Sequence, residues 1–123
     1  GADTIVVLEG QVFGKPADDQ DACRMLSQLS GRVHQVISGV AIVAGNRVYS
    51  DSQMTLVRIR SLEQAEIERY IATGEPMDKA GAYAVQGIGT LLVESIQGCY
   101  NNVVGLPLVA LNRLMMKAGV RLL

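Results

Sequence analysis

The stretch VHQVISGVAIV (Val33–Val43), broken at Gly45-Asn46 and resumed as RVYSDSQMTLVRIR (Arg47–Arg60), decides the fold. Its first arm is mostly apolar and β-branched, and its second regains strand character at Val48, Met54, Leu56, Val57 and Ile59. Two such runs about a glycine-containing break predict a long β-hairpin. In the second arm Thr55, Val57 and Ile59 alternate with Leu56, Arg58 and Arg60, so one face is expected to be buried and the other to meet solvent. His34, the only histidine, opens the first arm. No nucleophile or carboxylate pattern accompanies it, so a structural role is expected rather than a general base.

Upstream of the hairpin, Ile5 to Leu8 form a β-branched, apolar run that reads as a buried strand. Glu9-Gly10 turns the chain, and Gln11, Val12 and Phe13 lead back to Gly14-Lys15-Pro16. Asp3 and Thr4 before the strand and Lys15 after the return bring an acid, a hydroxyl and an ammonium toward one sheet edge. These groups suit a phosphorylated ligand. Between this small hairpin and the long one, Asp18 or Asp19 caps a helix to about Leu29, with Ala22, Met25, Leu26 and Leu29 as its apolar stripe and Gly31 past its end. Cys23 is expected beside that stripe as a small apolar filler.

Downstream, Ser61 with Gln64 three residues on has the form of a capping box, predicting a helix through about Ala72 with Gly74 as its stop. Residues 73–89 carry several glycines, Pro76, Glu75, Asp78 and Lys79, a loop whose backbone can approach a ligand closely. A strand over Thr90–Ile96 and a helix over about Leu106–Ala118 complete the chain. That last helix leaves only a narrow polar face, which suits packing on a sheet or a homodimer contact. The order predicts one α/β domain over residues 1–123, with a mixed, twisted central sheet, a long β-hairpin and flanking helices.

Composition narrows the function. Eleven basic residues against twelve acidic ones give a net charge of -1, so there is no basic field for nucleic acid. With four tyrosines, one phenylalanine and no tryptophan, platforms for stacked bases are few. Cys23 and Cys99 lie far apart without a metal-binding spacing, which argues against zinc and a disulfide framework and for a reduced, cytoplasmic setting. No apolar run approaches the roughly 18–20 residues that cross a bilayer.

Several stretches, in order, carry a resemblance: Gly1-Ala2-Asp3-Thr4, Gly14-Lys15-Pro16, Met25-Leu26 with Leu29-Ser30-Gly31, Gly74-Glu75-Pro76 with Asp78 to Tyr83, Gln86-Gly87, and Asn102 to Pro107. Together they resemble the Maf family of nucleoside triphosphate pyrophosphatases over essentially the whole chain, with the ITPase-like fold of that family. The resemblance implies cleavage of a nucleoside triphosphate between its α- and β-phosphates, with a divalent metal, magnesium or manganese. It makes Asp3 the catalytic base or a metal ligand, Lys15 and Lys79 phosphate cations, and Glu75 and Asp78 further carboxylates on the metal side. It makes Thr4 and Gln86 the residues that choose the base, in the pattern of the branch acting on dTTP and UTP. A carboxamide offers a donor beside an acceptor, complementary to the O4 and N3–H edge of thymine or uracil. The family's Ser-x-Ser-x-Arg-Arg loop, which grips the triphosphate, does not occur in the sequence, so an N-terminally truncated Maf-like domain is expected. Two functions follow: a dTTP/UTP pyrophosphatase, or a catalytically silent remnant that binds nucleotide weakly or self-associates.

Overall fold

A computed structural model describes all residues from Gly1 to Leu123. The long hairpin is its spine. β3 (Val33–Ala44) pairs with β4 (Arg47–Ile59) without interruption from Ala44↔Arg47 back to Val33↔Arg58, closed by the two-residue loop Gly45-Asn46. On the other side of β3 lies β1 (Ala2–Leu8), which also pairs with the short β2 (Gln11–Phe13). The β1–β2 turn has positive φ at both central residues, 51° at Glu9 and 81° at Gly10, as a type I′ hairpin requires. β5 (Val93–Gln97) joins the far side of β4, giving the order β2-β1-β3-β4-β5.

All four pairings are antiparallel, so the α/β architecture with its long hairpin and flanking helices is as expected but the sheet is not mixed. The reason lies in α1 (Asp19–Leu29). It crosses between β2 and β3, which run parallel, as a crossover helix should. β1 occupies the place between them, however, and turns both neighbours into antiparallel ones.

Strand alternation sorts the sheet into two unlike faces. On β3, His34, Val36, Ser38 and Val40 are buried while Val33, Gln35 and Gly39 are exposed. The helices cover the first of these faces. α1 and α2 (Gln64–Ala72) lay Met25, Leu26, Leu29, Ile67, Tyr70 and Ile71 on Val6, Leu8, Phe13, Val36, Val57 and Ile59. Fully burying an aliphatic side chain of this size stabilises by about 1.5–3 kcal/mol. Farther along the hairpin, α4 (Leu108–Lys117) buries Ala110 and Leu114 against Val40, and it leaves Leu108, Val109 and Met116 exposed.

Capping sets the helix starts. The Asp18 carboxylate accepts from the Asp21 N–H at 2.8 Å, and the Asp21 carboxylate reaches back to the Ala17 N–H at 2.9 Å. For α2 the box falls two residues later than expected, on Glu63 and Glu66 instead of Ser61 and Gln64. Arg60 makes the choice, because its two terminal nitrogens grip the Glu66 carboxylate at 3.1 and 2.6 Å and hold it over the Glu63 N–H. Two further boundaries differ. Residues 87–91 form a 3₁₀ turn, so the last strand starts at Val93, and a short helix α3 (Tyr100–Val104) stands between that strand and the last helix.

Candidate active site

β2 pairs only with Val6–Leu8, leaving the first half of β1 without a strand on that side. A cavity of ≈ 480 Å³ opens at this free edge, within the usual size of small-molecule sites. Its walls are Ala2 to Val6, Gly14-Lys15, Asp78 to Ala80 with Tyr83, and Val103-Val104 at the end of α3 with Gly105 just past it. Asp3, Thr4, Lys15, Asp78 and Lys79, all singled out from the sequence, therefore face one space. Gln86 and Glu75 do not line it.

The loop that supplies Lys79 is stitched to the small hairpin by one glycine. Gly81 (φ 74°) donates its N–H to the Gly14 carbonyl at 3.1 Å, and a Cβ there would meet the Val6 side chain at 3.0 Å. Only a residue without a side chain lets the loop press so closely on β1. Asp78 and Lys79 pair at 3.1 Å. That hydrogen bond and the Lys79 charge, with Lys15 nearby, hold the Asp78 carboxyl below the usual range. Asp3 is exposed, and its Oδ1 accepts the Thr4 N–H at 3.0 Å. Lys15 is exposed and has no carboxylate within ion-pair distance, so its ammonium is free for an anion.

Nowhere do three His, Cys, Asp or Glu side chains converge, so there is no all-protein cage for a cation. Magnesium does not need one, since it keeps several waters and takes one or two carboxylates together with substrate phosphates. The oxygens of Asp3 and Asp78, on one cavity with two ammonium groups, fit that demand.

Glu75 is spent elsewhere, which corrects its expected place on the metal side. Its Oε1 accepts from the Tyr70 hydroxyl at 2.8 Å and the Gly89 N–H at 2.8 Å, and its Oε2 from the Ile88 N–H at 3.1 Å. Tyr70 in turn accepts the Ala84 N–H at 3.0 Å. The carboxylate is thus a staple that shapes residues 84–89, including the segment bearing Gln86. A side chain at Gly87 would come within 2.7 Å of Glu75 Oε2. Burial raises the Glu75 carboxyl, but the Tyr70 hydroxyl and the two backbone donors outweigh it and leave it below the usual range. Glu75→Ala strands a phenol and two backbone donors, and is expected to cost about 1–3 kcal/mol in urea unfolding. Glu75→Gln, which keeps an acceptor, should cost less.

Two features of the site escaped the sequence reading. Tyr83 forms part of the cavity wall, and its hydroxyl lies 2.6 Å from Nε2 of the buried His34. His34 is thus structural, as expected, but sits in the core. Burial pushes its imidazole down to about 4 and the Tyr83 phenol up. The second is the α3 wall. Its residues stood in the quoted Asn102–Pro107 stretch, but that stretch carried no role until α3 folded over the strands.

A profile of the family described as Maf-like protein matches residues 1–118. The chain belongs to the Maf-like family. Among curated relatives, the Maf-like chain is 54% identical to a dTTP/UTP pyrophosphatase of Dictyoglomus thermophilum, over 100% of its own length and 65% of the relative's. It is 59% identical to the protein of that name from Shewanella denitrificans, over 89% and 55% of the two chains, and 51% identical to one from Clostridium botulinum, over 99% and 64%. The Maf-like chain therefore spans 55–65% of the length of these relatives. No helix is long and apolar enough to cross a membrane.

Proposed function

We propose that the chain acts on dTTP and UTP, hydrolysing the link between the α- and β-phosphates to give the nucleoside monophosphate and pyrophosphate. The observation that carries this reading is the meeting of Asp3, Lys15, Asp78 and Lys79 on one open cavity. It is supported by relatives that bear the name dTTP/UTP pyrophosphatase.

Each group has a role that its chemistry suits. Asp3 takes the proton of the attacking water, or holds through an oxygen the cation that activates it. Lys15 and Lys79 neutralise phosphate oxygens as negative charge moves onto the departing pyrophosphate. Asp78 fixes Lys79 and offers a second cation ligand. Asp3 and Asp78 are the residues that would hold magnesium or manganese, which would supply Lewis-acid activation of a water and charge neutralisation at phosphate. Thr4 faces the cavity beside Asp3, whereas Gln86 is exposed outside its wall, so Gln86 acts on the base only from beyond the cavity.

Pyrophosphate release from dTTP, UTP and 7-methyl-GTP with magnesium tests the reading. Release from the first two, with 7-methyl-GTP slow, is expected. The reverse order would remove the substrate assignment. Lys15→Met, which keeps the aliphatic stem and removes the charge, is expected to lower turnover of dTTP by about 10²-fold. A silent nucleotide-binding module would instead release no pyrophosphate.

A further inference from the structure

A chain of polar groups runs from the core to the cavity wall, and its directions can be assigned. Asn102, fully buried on α3, donates Nδ2 to the Val36 carbonyl at 3.1 Å and the Gln53 carbonyl at 3.0 Å, with Thr55 Oγ1 at 2.8 Å. Two backbone carbonyls accept only, so the amide cannot be flipped. This anchor places the Asn102 main-chain carbonyl over β3, where it takes the Ser38 hydroxyl at 3.2 Å. Ser38 is 0% exposed and has one proton. Its other neighbour is Thr4 Oγ1 at 2.8 Å.

If Ser38 donates to Asn102, Thr4 must donate to Ser38, and both contacts are hydrogen bonds. If Ser38 donates to Thr4 instead, the contact with Asn102 is lost. The first arrangement wins by one hydrogen bond, about 0.5–1.5 kcal/mol. Thr4 then has no proton left for a ligand. Gly105 (φ 122°) keeps space beside this oxygen, since a Cβ there would stand 3.8 Å from Thr4 Oγ1.

We infer that Thr4 meets the nucleotide as a hydrogen-bond acceptor only, and that Ser38, which reaches no ligand itself, is the positioning residue that fixes this polarity. The ligand must therefore present a donor. Resting on the proposed substrates, that donor is the imide N3–H of thymine or uracil. Cytosine, whose N3 is an acceptor, would set lone pair against lone pair at the same place.

Calorimetric titration of this chain with α,β-methylene analogues of dTTP and dCTP tests the assignment, because binding is read without hydrolysis. Thr4→Val should weaken the dTTP analogue about tenfold, the worth of one hydrogen bond, and Thr4→Ser should restore it. Ser38→Ala frees the Thr4 proton and should narrow the preference for the dTTP over the dCTP analogue by about tenfold. The N3-methyl form of the dTTP analogue, which lacks that donor, should be insensitive to Thr4→Val, whereas the 3′-deoxy form should be weakened as the parent is. Equal weakening of all analogues by Thr4→Val, an unchanged dTTP-to-dCTP preference in Ser38→Ala, or no binding by any analogue would overturn the inference. If the binding pattern holds and no pyrophosphate is released from dTTP, the hydrolytic reading fails and the assignment of Thr4 stands.

Discussion

Asp3→Asn should lower pyrophosphate release from dTTP by about 10²- to 10⁴-fold, the usual contribution of a positioned general base. Asparagine keeps the size of the side chain and its Oδ1, so the contact from the Thr4 N–H at 3.0 Å can persist. It removes the charge and the basicity. Asp3 is exposed at the free edge of β1, away from the packed core, so the thermal midpoint should move little. A loss of activity without a loss of stability separates a chemical role from a structural one. Asp78→Asn, which leaves Asp3 in place, should have the smaller effect.

Acid should unfold the protein over a window set by His34. Its imidazole is held at about 4 in the folded chain, against an ordinary value near 6.5, by burial. The unfolded state therefore binds more protons between these values, and stability rises with pH across the window. Above about pH 6.5 nothing is lost. As pH falls through 6.5 toward 4, about 3 kcal/mol should go, a large share of the usual stability of a domain of this size. The His34 Nδ1 has no protein partner and the ring's one hydrogen bond is to the neutral Tyr83 hydroxyl, so no charged group offsets the desolvation of its cation. Urea midpoints measured from pH 7.5 to 4 should show the decline. The double variant His34→Leu, Tyr83→Phe removes both ends of the 2.6 Å contact and should flatten that limb while costing little at pH 7. An equally steep limb in the double variant would assign the acid lability to other groups.

The parts of the fold that could be read from the sequence are those whose signals are local. Two apolar, β-branched runs about Gly45-Asn46 gave away the long hairpin, and an aspartate cap with a four-residue apolar stripe gave away α1. The sheet was misjudged as mixed because insertion of β1 between β2 and β3 is a long-range choice, invisible to periodicity. The α2 cap slipped because Ser61/Gln64 fits the sequence pattern and Glu63, not a usual N-cap residue, does not, while the deciding Arg60 contact belongs to the folded chain.

The candidate site divides the same way. Asp3, Thr4 and Lys15 were legible because they flank one hairpin, and Asp78-Lys79 because they fall in a glycine-rich loop. Glu75 lies in the same loop, yet its carboxylate is taken by backbone donors 13 and 14 residues away. Spacing alone cannot tell a free carboxylate from a spent one. Tyr83 and Ser38 were invisible as wall and polarity groups because their partners, His34 and Asn102, come from other strands and helices.

The reaction proposed for this cavity splits a pyrimidine nucleoside triphosphate between its α- and β-phosphates. Phosphorus NMR of dTTP incubated with magnesium and the purified chain reads the products directly. The expected result is dTMP and pyrophosphate in equal amounts, with neither formed by Asp3→Asn on the same timescale; dTDP and orthophosphate, or unchanged dTTP, would contradict it.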